Sequence, residues 1–337
     1  MTDTLITSEA ELIAMLAPLT VGAPGALGLK DDCARLTPRP GYDLVLKTDP
    51  VRAGVHFFPD DPPDAIAWKA LAVNISDLAA KGADPVAYLM SLSFPEAPAR
   101  SWMAEFVRGL GEAQSAFGCH LIGGDTDRGP GPLSIAVTVI GEVPTGCMVQ
   151  RGTAKAGDAI YVSGTLGDAG LGLQLRRQAR EGKRKLQDEW SLTDTQAAYL
   201  DDSYLRPLPR LALSHTVRKF ASAAMDLSDG LVKDLERMCK ASGVGAVINF
   251  ESIAFSHGAR AVVSKHPELF STIISAGDDY EILAAVTHNN IAAFEVSVSK
   301  SPTRMIRIGT FVEGSGVTVT RIDGTIIAFD RKGWDHF

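Results

Sequence analysis

Residues 69–85 read KALAVNISDLAAKGADP, a stretch that combines an apolar helical pattern, an internal Asp and a helix-end signal. A helix is predicted over 64–80, because apolar residues lie near one stripe of it at Ile66, Leu71, Ile75 and Leu78. Lys81 followed by Gly82 is a typical helix end. Asp77 lies inside the apolar pattern, where a buried and unpaired carboxylate would be costly. Asp77 is therefore the most informative candidate for a functional carboxylate.

Helices and strands alternate on both sides of this stretch, without the regular rhythm of a doubly wound sheet. In the first half we predict a helix over 98–117 and strands over 43–49, 86–92, 120–123 and 134–143. In the second half we predict a helix after residue 230 and strands over 159–163, 221–225, 246–250, 280–286, 305–311 and 317–322. Gly and Pro recur over 144–157, so the predicted domains are 1–148 and 149–337. The predicted fold class is α+β, with two α/β sandwich-like domains.

The composition is that of an ordinary globular protein of 337 residues, 45% hydrophobic and 22% charged. The formal net charge of −7 argues against a broad surface for nucleic acid or anionic membrane. The four cysteines are widely spaced, and the N-terminus lacks the basic region of a signal peptide. No apolar run is long enough to span a membrane. We therefore expect a cytoplasmic protein with no nucleic-acid or membrane partner.

Short Asp-bearing motifs beside Gly, Ser or Thr recur along the chain. The carboxylates that stand out are Asp32, Asp49, Asp77, Asp125, Asp226 and Asp229. Mg²⁺ takes only one or two protein carboxylates per ion, so a group of ions needs several Asp residues from different loops. Each Asp taken alone is more simply explained as a plain N-cap or turn residue. We assign Asp168 to a plain turn. We predict that the other six carboxylates hold several Mg²⁺ ions.

The two commonest phosphate-binding motifs of nucleotide enzymes are absent, since neither G-x-x-x-x-G-K-[ST] nor H-R-D-x-x-x-x-N occurs. The remaining way to hold ATP is through carboxylates and Mg²⁺, assisted by backbone amides of Gly-rich turns such as 123–126. Arg151 fits either a phosphate contact or an exposed loop residue. His56 fits either a site residue or an ordinary core or interface histidine beside two Phe residues.

Seven longer strings, taken together, resemble the thiamine-monophosphate kinase family. They are GLKDDCA (28–34), KTDPVRAGVHF (47–57), KALAVNISDLAAKGADP (69–85), LIGGDTDRG (121–129), AMDLSDGL (224–231), SAGDDYEIL (275–283) and KGWDHF (332–337). The resemblance implies the fold of the aminoimidazole-ribonucleotide synthetase superfamily. In that fold, strands of the N-terminal domain form a barrel-like homodimer with a second subunit, and a C-terminal α/β domain completes the active site. The implied reaction is ATP + thiamine monophosphate → ADP + thiamine diphosphate, with Mg²⁺, by direct in-line transfer.

Carried over by motif, the resemblance also implies roles for individual residues. The implied metal positions are Asp32, Thr48, Asp49, Asp77, Asp125, Asp226 and Asp229. The implied ATP contacts are Gly124, Asp125, Arg151 and Ser228. The implied substrate contacts are His56, Asp278 and Trp334, with the Trp334 ring stacked on thiamine and Asp278 near its polar or cationic part.

Three positions depart from the usual pattern of the family. Lys47 stands where Ser is frequent before Thr48, and it would either displace one metal or pair with a phosphate. Lys30 replaces a Gly of the common G-I-G-D-D motif, and Asp278 replaces a frequent Glu and is shorter by one methylene. Two alternative functions stay open at this point. One is another ATP-dependent superfamily enzyme that releases phosphate, and the other is a non-catalytic thiamine-phosphate sensor.

Overall fold

The structure, a computed structural model, describes residues 4–182, 185–329 and 333–334. The chain divides into two compact units, Met1–Leu78 with Ala83–Gly146 and Ala79–Gly82 with Cys147–Phe337. Each unit has its own sheet and its own helices. The predicted α+β class with two mixed α/β domains is therefore confirmed. Of the string 332–337, only Gly333 and Trp334 lie within the described residues.

The first unit is built on a four-stranded sheet. Its strands are β1 (Tyr42–Arg52), β2 (Asp84–Phe94), β3 (His120–Arg128) and β4 (Ser134–Pro144). Its helices are α1 (Glu9–Leu16), α2 (Pro63–Ala80) and α3 (Arg100–Phe117), and short 3₁₀ segments follow α1 at Ala17–Thr20 and Pro24–Leu29. The strand order is β1-β4-β2-β3, in which β2 and β3 are parallel and the other pairs antiparallel. The sheet is open in the described chain, because β1 and β3 are its two outer strands.

The two faces of this sheet differ in burial, as the alternation of side chains along a strand requires. One face is buried at Val45, Val51, Tyr88 and Val137. The Tyr88 hydroxyl on this face donates to Gln114 Oε1 of α3 at 3.0 Å. The opposite face carries exposed apolar side chains at Leu44, Leu46 and Leu89.

Helices α2 and α3 approach each other closely at Gly109. A Cβ at this position would lie 2.3 Å from the carbonyl oxygen of Asp64, so any side chain would force the helices apart. The predicted helix over 64–80 is confirmed as α2, which begins one residue earlier. Among the described helices, none combines the length and the apolar character that crossing a bilayer requires.

The second unit is built on a seven-stranded sheet of order β11-β10-β7-β9-β5-β8-β6. The strands are β5 (Ala159–Ser163), β6 (Ala221–Leu227), β7 (Gly245–Asn249), β8 (Glu281–Val286), β9 (Met305–Val312), β10 (Gly316–Thr320) and β11 (Ile326–Ile327). The helices are α4 (Asp168–Arg180), α5 (Lys185–Glu189), α6 (Asp194–Leu205), α7 (Ser214–Phe220), α8 (Leu231–Ser242), α9 (His257–Lys265), α10 (Phe270–Ile274) and α11 (Ile291–Val298). Only β7 and β10 pair in parallel among these strands.

Helices cover both faces of this second sheet. On one face, Met225 and Leu283 of the sheet pack in one buried cluster with Leu235 of α8. On the other face, Tyr161 of β5 packs in a separate cluster with Phe294 of α11. Burial on both faces makes this sheet a rigid support for the loops that leave its strand ends.

Candidate active site

Lys47, Asp49 and Asp77 form a charged cluster in the first unit. Lys47 and Asp49 alternate with Thr48 on β1, so their side chains share the face of the buried Val45. The Lys47 Nζ lies 2.9 Å from Oδ2 of Asp49 and 2.9 Å from Oδ2 of Asp77, which α2 supplies. One ammonium group thus bridges two of the carboxylates that the sequence assigns to metal.

Lys47 remains protonated in this position. Burial, the largest single influence, lowers its pKa, but the charges and hydrogen bonds of Asp77 and Asp49 together outweigh burial and raise the pKa above its ordinary value. The cluster therefore carries one net negative charge rather than two. Carboxylate oxygens are the donors that Mg²⁺ prefers, yet at this pair a resident cation already occupies the point between them.

Asn74 holds Asp49 in place along the free edge of β1. The Asn74 Oδ1 accepts the Asp49 N–H at 2.8 Å, and its Nδ2 donates to the Asp49 carbonyl at 3.3 Å. Asn74 is fully buried on α2, three residues before Asp77. The outward-facing backbone N–H and carbonyl of Asp49 on this edge strand are hydrogen-bonded to the Asn74 amide instead of to another strand. Sequence reasoning missed Asn74, and the available signal was its i, i+3 spacing to Asp77 on one helix face.

Thr48 and Asp125 lie apart from this cluster. The Thr48 side chain projects to the opposite face of the sheet, where its hydroxyl accepts from the Thr138 hydroxyl at 3.0 Å. Asp125 lies on β3, where it pairs in register with Ser91. Since β1 and β3 are the outer strands, three spacings of about 4.8 Å, or roughly 14 Å, separate them. The first unit therefore brings Asp49 and Asp77 together and leaves the side chains of Thr48 and Asp125 elsewhere.

Gly124 has a structural reason to be glycine. Its φ is +155°, and a Cβ would lie 1.8 Å from the Met90 carbonyl oxygen of the neighbouring strand. Asp125 follows it, with Oδ1 accepting the Thr126 N–H at 2.9 Å. The close approach of β2 and β3 thus explains the glycine, and its implied ATP contact stays a prediction.

His56 and Asp32 occupy loops of the first unit. The His56 Nδ1 accepts the Arg52 N–H at 3.0 Å, so a neutral ring carries its proton on Nε2. This bond fixes the orientation of the ring in the turn after β1. Asp32 is exposed in the segment that follows Pro24–Leu29.

In the second unit, Asp234 organises the turn between β6 and α8. Its Oδ2 accepts the N–H groups of Ser228 and Asp229 at 3.0 and 2.9 Å, and its Oδ1 accepts from Arg237 Nη1 at 2.8 Å. The side chain is completely buried, and burial raises the pKa of Asp234 to about 6. Asp234 was missed from the sequence, although an acidic residue in the first turn of a helix is a familiar signal.

Four predicted site residues converge at this turn: Ser228, Asp229, Asp278 and Trp334. The Asp278 N–H donates to the Ser228 carbonyl at 2.8 Å, and the Trp334 N–H donates to the Asp229 carbonyl at 2.9 Å. The Asp229 carboxylate pairs with Arg237 at 2.5 Å and lies 3.5 Å from the Lys233 ammonium. Trp334 as a whole residue is 44% exposed.

Asp226 and Arg151 lie beside the same strand, β6. Asp226 is buried on β6, two residues before Ser228. The segment carrying Arg151 follows the outer edge of β6, where the Gln150 carbonyl accepts the Ala224 N–H at 3.1 Å. The Arg151 carbonyl also accepts from the Ser242 hydroxyl at the end of α8. Arg151 is therefore close to the strand but at the far end of α8 from Asp229.

The predicted metal residues are distributed over both units. Within the described ranges, no three His, Cys, Asp or Glu side chains converge in a geometry that would hold a metal ion. The donor chemistry fits Mg²⁺, since all the candidates offer oxygen atoms, six from carboxylates and one from the Thr48 hydroxyl. Asp49, Asp77 and Asp229 are instead paired with Lys or Arg in this structure.

Two family models of AIR synthase related proteins match this chain, the N-terminal domain over residues 30–143 and the C-terminal domain over residues 155–322. Both domains of that class of protein are therefore present. The chain is 40% identical to thiamine-monophosphate kinase of Caulobacter vibrioides, over 96% of this chain and 88% of that protein.

Solved structures show the same similarity. The thiamine-monophosphate kinase of Stenotrophomonas maltophilia K279a is 35% identical, with a TM-score of 0.82 over 96% of this chain and 100% of that one. AaThiL complexed with AMPPCP and TMP is 31% identical, with a TM-score of 0.75 over 99% of both chains. The chain belongs to the thiamine-monophosphate kinase family of AIR synthase related proteins, as the seven strings predict.

Proposed function

We propose that this chain transfers the γ-phosphoryl group of ATP to thiamine monophosphate and releases ADP and thiamine diphosphate. The observation that carries the proposal is the 40% identity to a thiamine-monophosphate kinase over 96% of the chain. The related AaThiL structure, which holds AMPPCP and TMP, supports the same pair of substrates. The reaction is the last step in making thiamine diphosphate.

The chemistry of the acceptor explains why the predicted site holds carboxylates and no catalytic base. A monophosphate oxygen is already anionic, so it needs no base to become a nucleophile. The obstacle is the repulsion between two anions that must come into line. Bound Mg²⁺ would neutralise this charge and align the two phosphates.

We propose that the metal-binding residues are Asp32, Thr48, Asp49, Asp77, Asp125, Asp226 and Asp229, and that Gly124, Asp125, Arg151 and Ser228 contact ATP. The cluster of Lys47, Asp49 and Asp77 changes how many metal ions these residues would hold. Since the Lys47 ammonium already bridges the two carboxylates at 2.9 Å, we propose that it takes the place of one metal ion there. Of the two roles that the sequence leaves open for Lys47, this geometry supports displacement of a metal.

We propose that Trp334, Asp278 and His56 bind the thiamine moiety. The partly exposed Trp334 suits stacking on an aromatic ring, and cationic rings are attracted to the face of an indole. The Asp278 Oδ1 accepts from the Tyr280 hydroxyl at 3.1 Å, which orients the carboxylate. A negative carboxylate near an aromatic platform is a suitable receptor for a positively charged heterocycle.

We further propose a homodimer in which the first unit pairs with its copy into a barrel. The sheet of the first unit exposes Leu44, Leu46 and Leu89 on one face. Exposed apolar side chains grouped on one sheet face favour an interface. Light scattering should give twice the 35.8 kDa chain mass, whereas a mass of one chain would contradict the proposal.

We propose that the protein works in the cytoplasm. Cys33, Cys119, Cys147 and Cys239 carry thiols and are not joined in disulfides, which is the state that a reducing compartment favours.

A coupled assay for ADP tests the proposed function. With ATP and Mg²⁺ present, ADP release should depend on thiamine monophosphate and should match the thiamine diphosphate formed. Another superfamily enzyme would instead release inorganic phosphate with a different acceptor. A sensor would bind thiamine phosphates without producing ADP.

A further inference from the structure

The loop over 277–280 has an unusual backbone. Gly277, Asp278 and Tyr280 have φ values of 79°, 61° and 49°, all in the left-handed region. Non-glycine residues are disfavoured in this region, so the surroundings must hold the loop in this shape. Asp278 is one of these residues and also a proposed substrate contact. Its orientation therefore depends on whatever fixes the loop.

Backbone hydrogen bonds anchor two of the loop residues. The Asp278 N–H donates to the Ser228 carbonyl and the Tyr280 N–H donates to the Leu227 carbonyl, both at 2.8 Å. Between them, the side chain of Asp279 makes a third anchor. Its Oδ1 accepts the Gly167 N–H at 2.7 Å, just before the first residue of α4. Asp279 thus anchors the loop beside the start of α4, whereas Asp278 and Tyr280 bond to residues at the end of β6.

The Asp279 carboxyl group lies in an acidic environment. The residue as a whole is half-buried, but its Oδ2 is buried and has no hydrogen-bond partner among the described residues. Burial raises the pKa of Asp279 well above its ordinary value. The hydrogen bond from the Gly167 N–H lowers this pKa, whereas the negative charges of Asp168, Glu281 and Asp278 raise it further.

The nearby cation is already engaged. Arg210 forms a two-pronged pair with Glu281, with Nε at 2.8 Å from Oε2 and Nη2 bonded to Oε1. Asp168 in turn accepts from the Thr165 hydroxyl at 2.6 Å and the Tyr199 hydroxyl at 3.5 Å. A buried carboxylate among like charges is costly, and neutralisation by a proton lowers that cost.

We infer that Asp279 is a positioning residue that works as a neutral carboxylic acid. It accepts from Gly167 through Oδ1 and so holds the 277–280 loop in its left-handed shape. The loop in turn fixes Asp278 beside Ser228. The role in substrate binding rests on the proposed function, whereas the protonated state does not.

Two substitutions separate the neutral acid from other roles. Asp279→Asn keeps an oxygen acceptor for Gly167 without a charge, so kcat and both KM values should stay within about twofold of the parent chain. Asp279→Ala removes the anchor, and KM for thiamine monophosphate should rise about tenfold, the equivalent of one lost hydrogen bond, with KM for ATP little changed. Equal impairment of the Asn and Ala variants, or a parallel rise of both KM values, would overturn the inference.

The pH profile gives a second readout. As pH rises, ionisation of Asp279 should weaken the binding of thiamine monophosphate, and Asp279→Asn should lack that alkaline loss. The groups facing Asp279 are Asp168, Glu281 and Asp278, with Arg210 and Tyr199 paired to them. An alkaline loss that is identical in the Asn variant would contradict the inference.

Infrared spectroscopy of the purified full chain tests the proton without any activity. The parent chain should show the carbonyl band of a protonated carboxyl group at neutral pH, and Asp279→Asn should lose that contribution. The matched control is Asp278→Asn, the same change at the adjacent carboxylate, which should leave the band in place. If the parent chain made no thiamine diphosphate but showed this band, the proposed function would fail and the neutral acid would stand. A band that Asp279→Asn leaves unchanged would refute the neutral acid itself.

Discussion

The Lys47 ammonium lies 2.9 Å from Oδ2 of Asp77, and the same nitrogen lies 2.9 Å from Oδ2 of Asp49. A strand and a helix thus present two carboxylates to one cation that belongs to the chain. In the family this position before Thr-Asp is frequently Ser, which has no charge. The relationship lies at the point where metal binding is proposed.

Lys47→Ser should strengthen metal binding. Removal of the bridging ammonium frees two carboxylates, and affinity for Mg²⁺ should rise about fivefold, equivalent to roughly 1 kcal/mol for a partly exposed ion pair. Titration calorimetry with Mg²⁺, or paramagnetic resonance with Mn²⁺, would measure affinity and number of ions. Lys300→Ser is the matched control, because it removes one exposed positive charge outside the cluster. Unchanged metal binding in Lys47→Ser would show that the ammonium does not compete with metal.

Asp77→Asn should fold normally and lose most activity. Loss of one metal ligand should remove on the order of several kcal/mol of transition-state stabilisation, while the buried core is untouched. Steady-state kinetics at moderate Mg²⁺ and a thermal melt would measure the two effects. Asp188→Asn, at an exposed carboxylate of α5, should change neither. Near-normal turnover of Asp77→Asn would remove Asp77 from the metal set.

Asp234→Ala should destabilise the second unit. The change leaves the N–H groups of Ser228 and Asp229 unpaired and removes one of the two carboxylate partners of Arg237, which should cost about 3 kcal/mol. Urea unfolding followed by circular dichroism would detect the lower midpoint. Lys240→Ala, at an exposed site on the same helix, should stay within about 0.5 kcal/mol. An unaltered midpoint in Asp234→Ala would mean that water replaces the carboxylate without loss.

Two of the four thiols should react quickly with a thiol reagent at pH 8. Cys33 and Cys147 are exposed, whereas burial raises the pKa of Cys119 to about 12 and that of Cys239 to about 11. The thiolate is the reactive form, so the buried pair should react only after unfolding. A colorimetric thiol count on native and unfolded protein would show this, with Cys33→Ser/Cys147→Ser as control. Rapid reaction in that double variant would contradict the burial of the other pair.

The sequence predicted the elements whose pattern is local. The apolar stripe and the Lys81-Gly82 end placed α2 within one residue, since both signals depend on helix geometry alone. The strand predicted over 120–123 was too short, because β3 continues to Arg128. Gly124 lies one residue beyond the predicted strand end, and it is glycine because β2 leaves no room for a side chain.

The convergence of the site was less accessible from sequence. Strings of the family supplied Ser228, Asp278 and Trp334, but nothing local predicts that they meet, since they are far apart in the chain. The sequence did not identify the residues whose role is to position other residues. Asn74 and Asp279 lie within two of the quoted strings, but their importance comes from tertiary neighbours that a string does not reveal. The side chains of Thr48 and Asp49 point to opposite faces of the sheet, because side chains alternate along a strand. The two residues are adjacent in the motif, so the motif alone does not show this separation.

The most direct test follows the phosphoryl group itself. The full chain is incubated with Mg²⁺, thiamine monophosphate and ATP labelled in the γ-phosphate, and the products are separated by chromatography. We predict label in thiamine diphosphate, in an amount equal to the ADP formed, and no label transfer when thiamine monophosphate is omitted. Label recovered only as inorganic phosphate, or an unlabelled thiamine fraction, would contradict the assignment of this chain as a thiamine-monophosphate kinase.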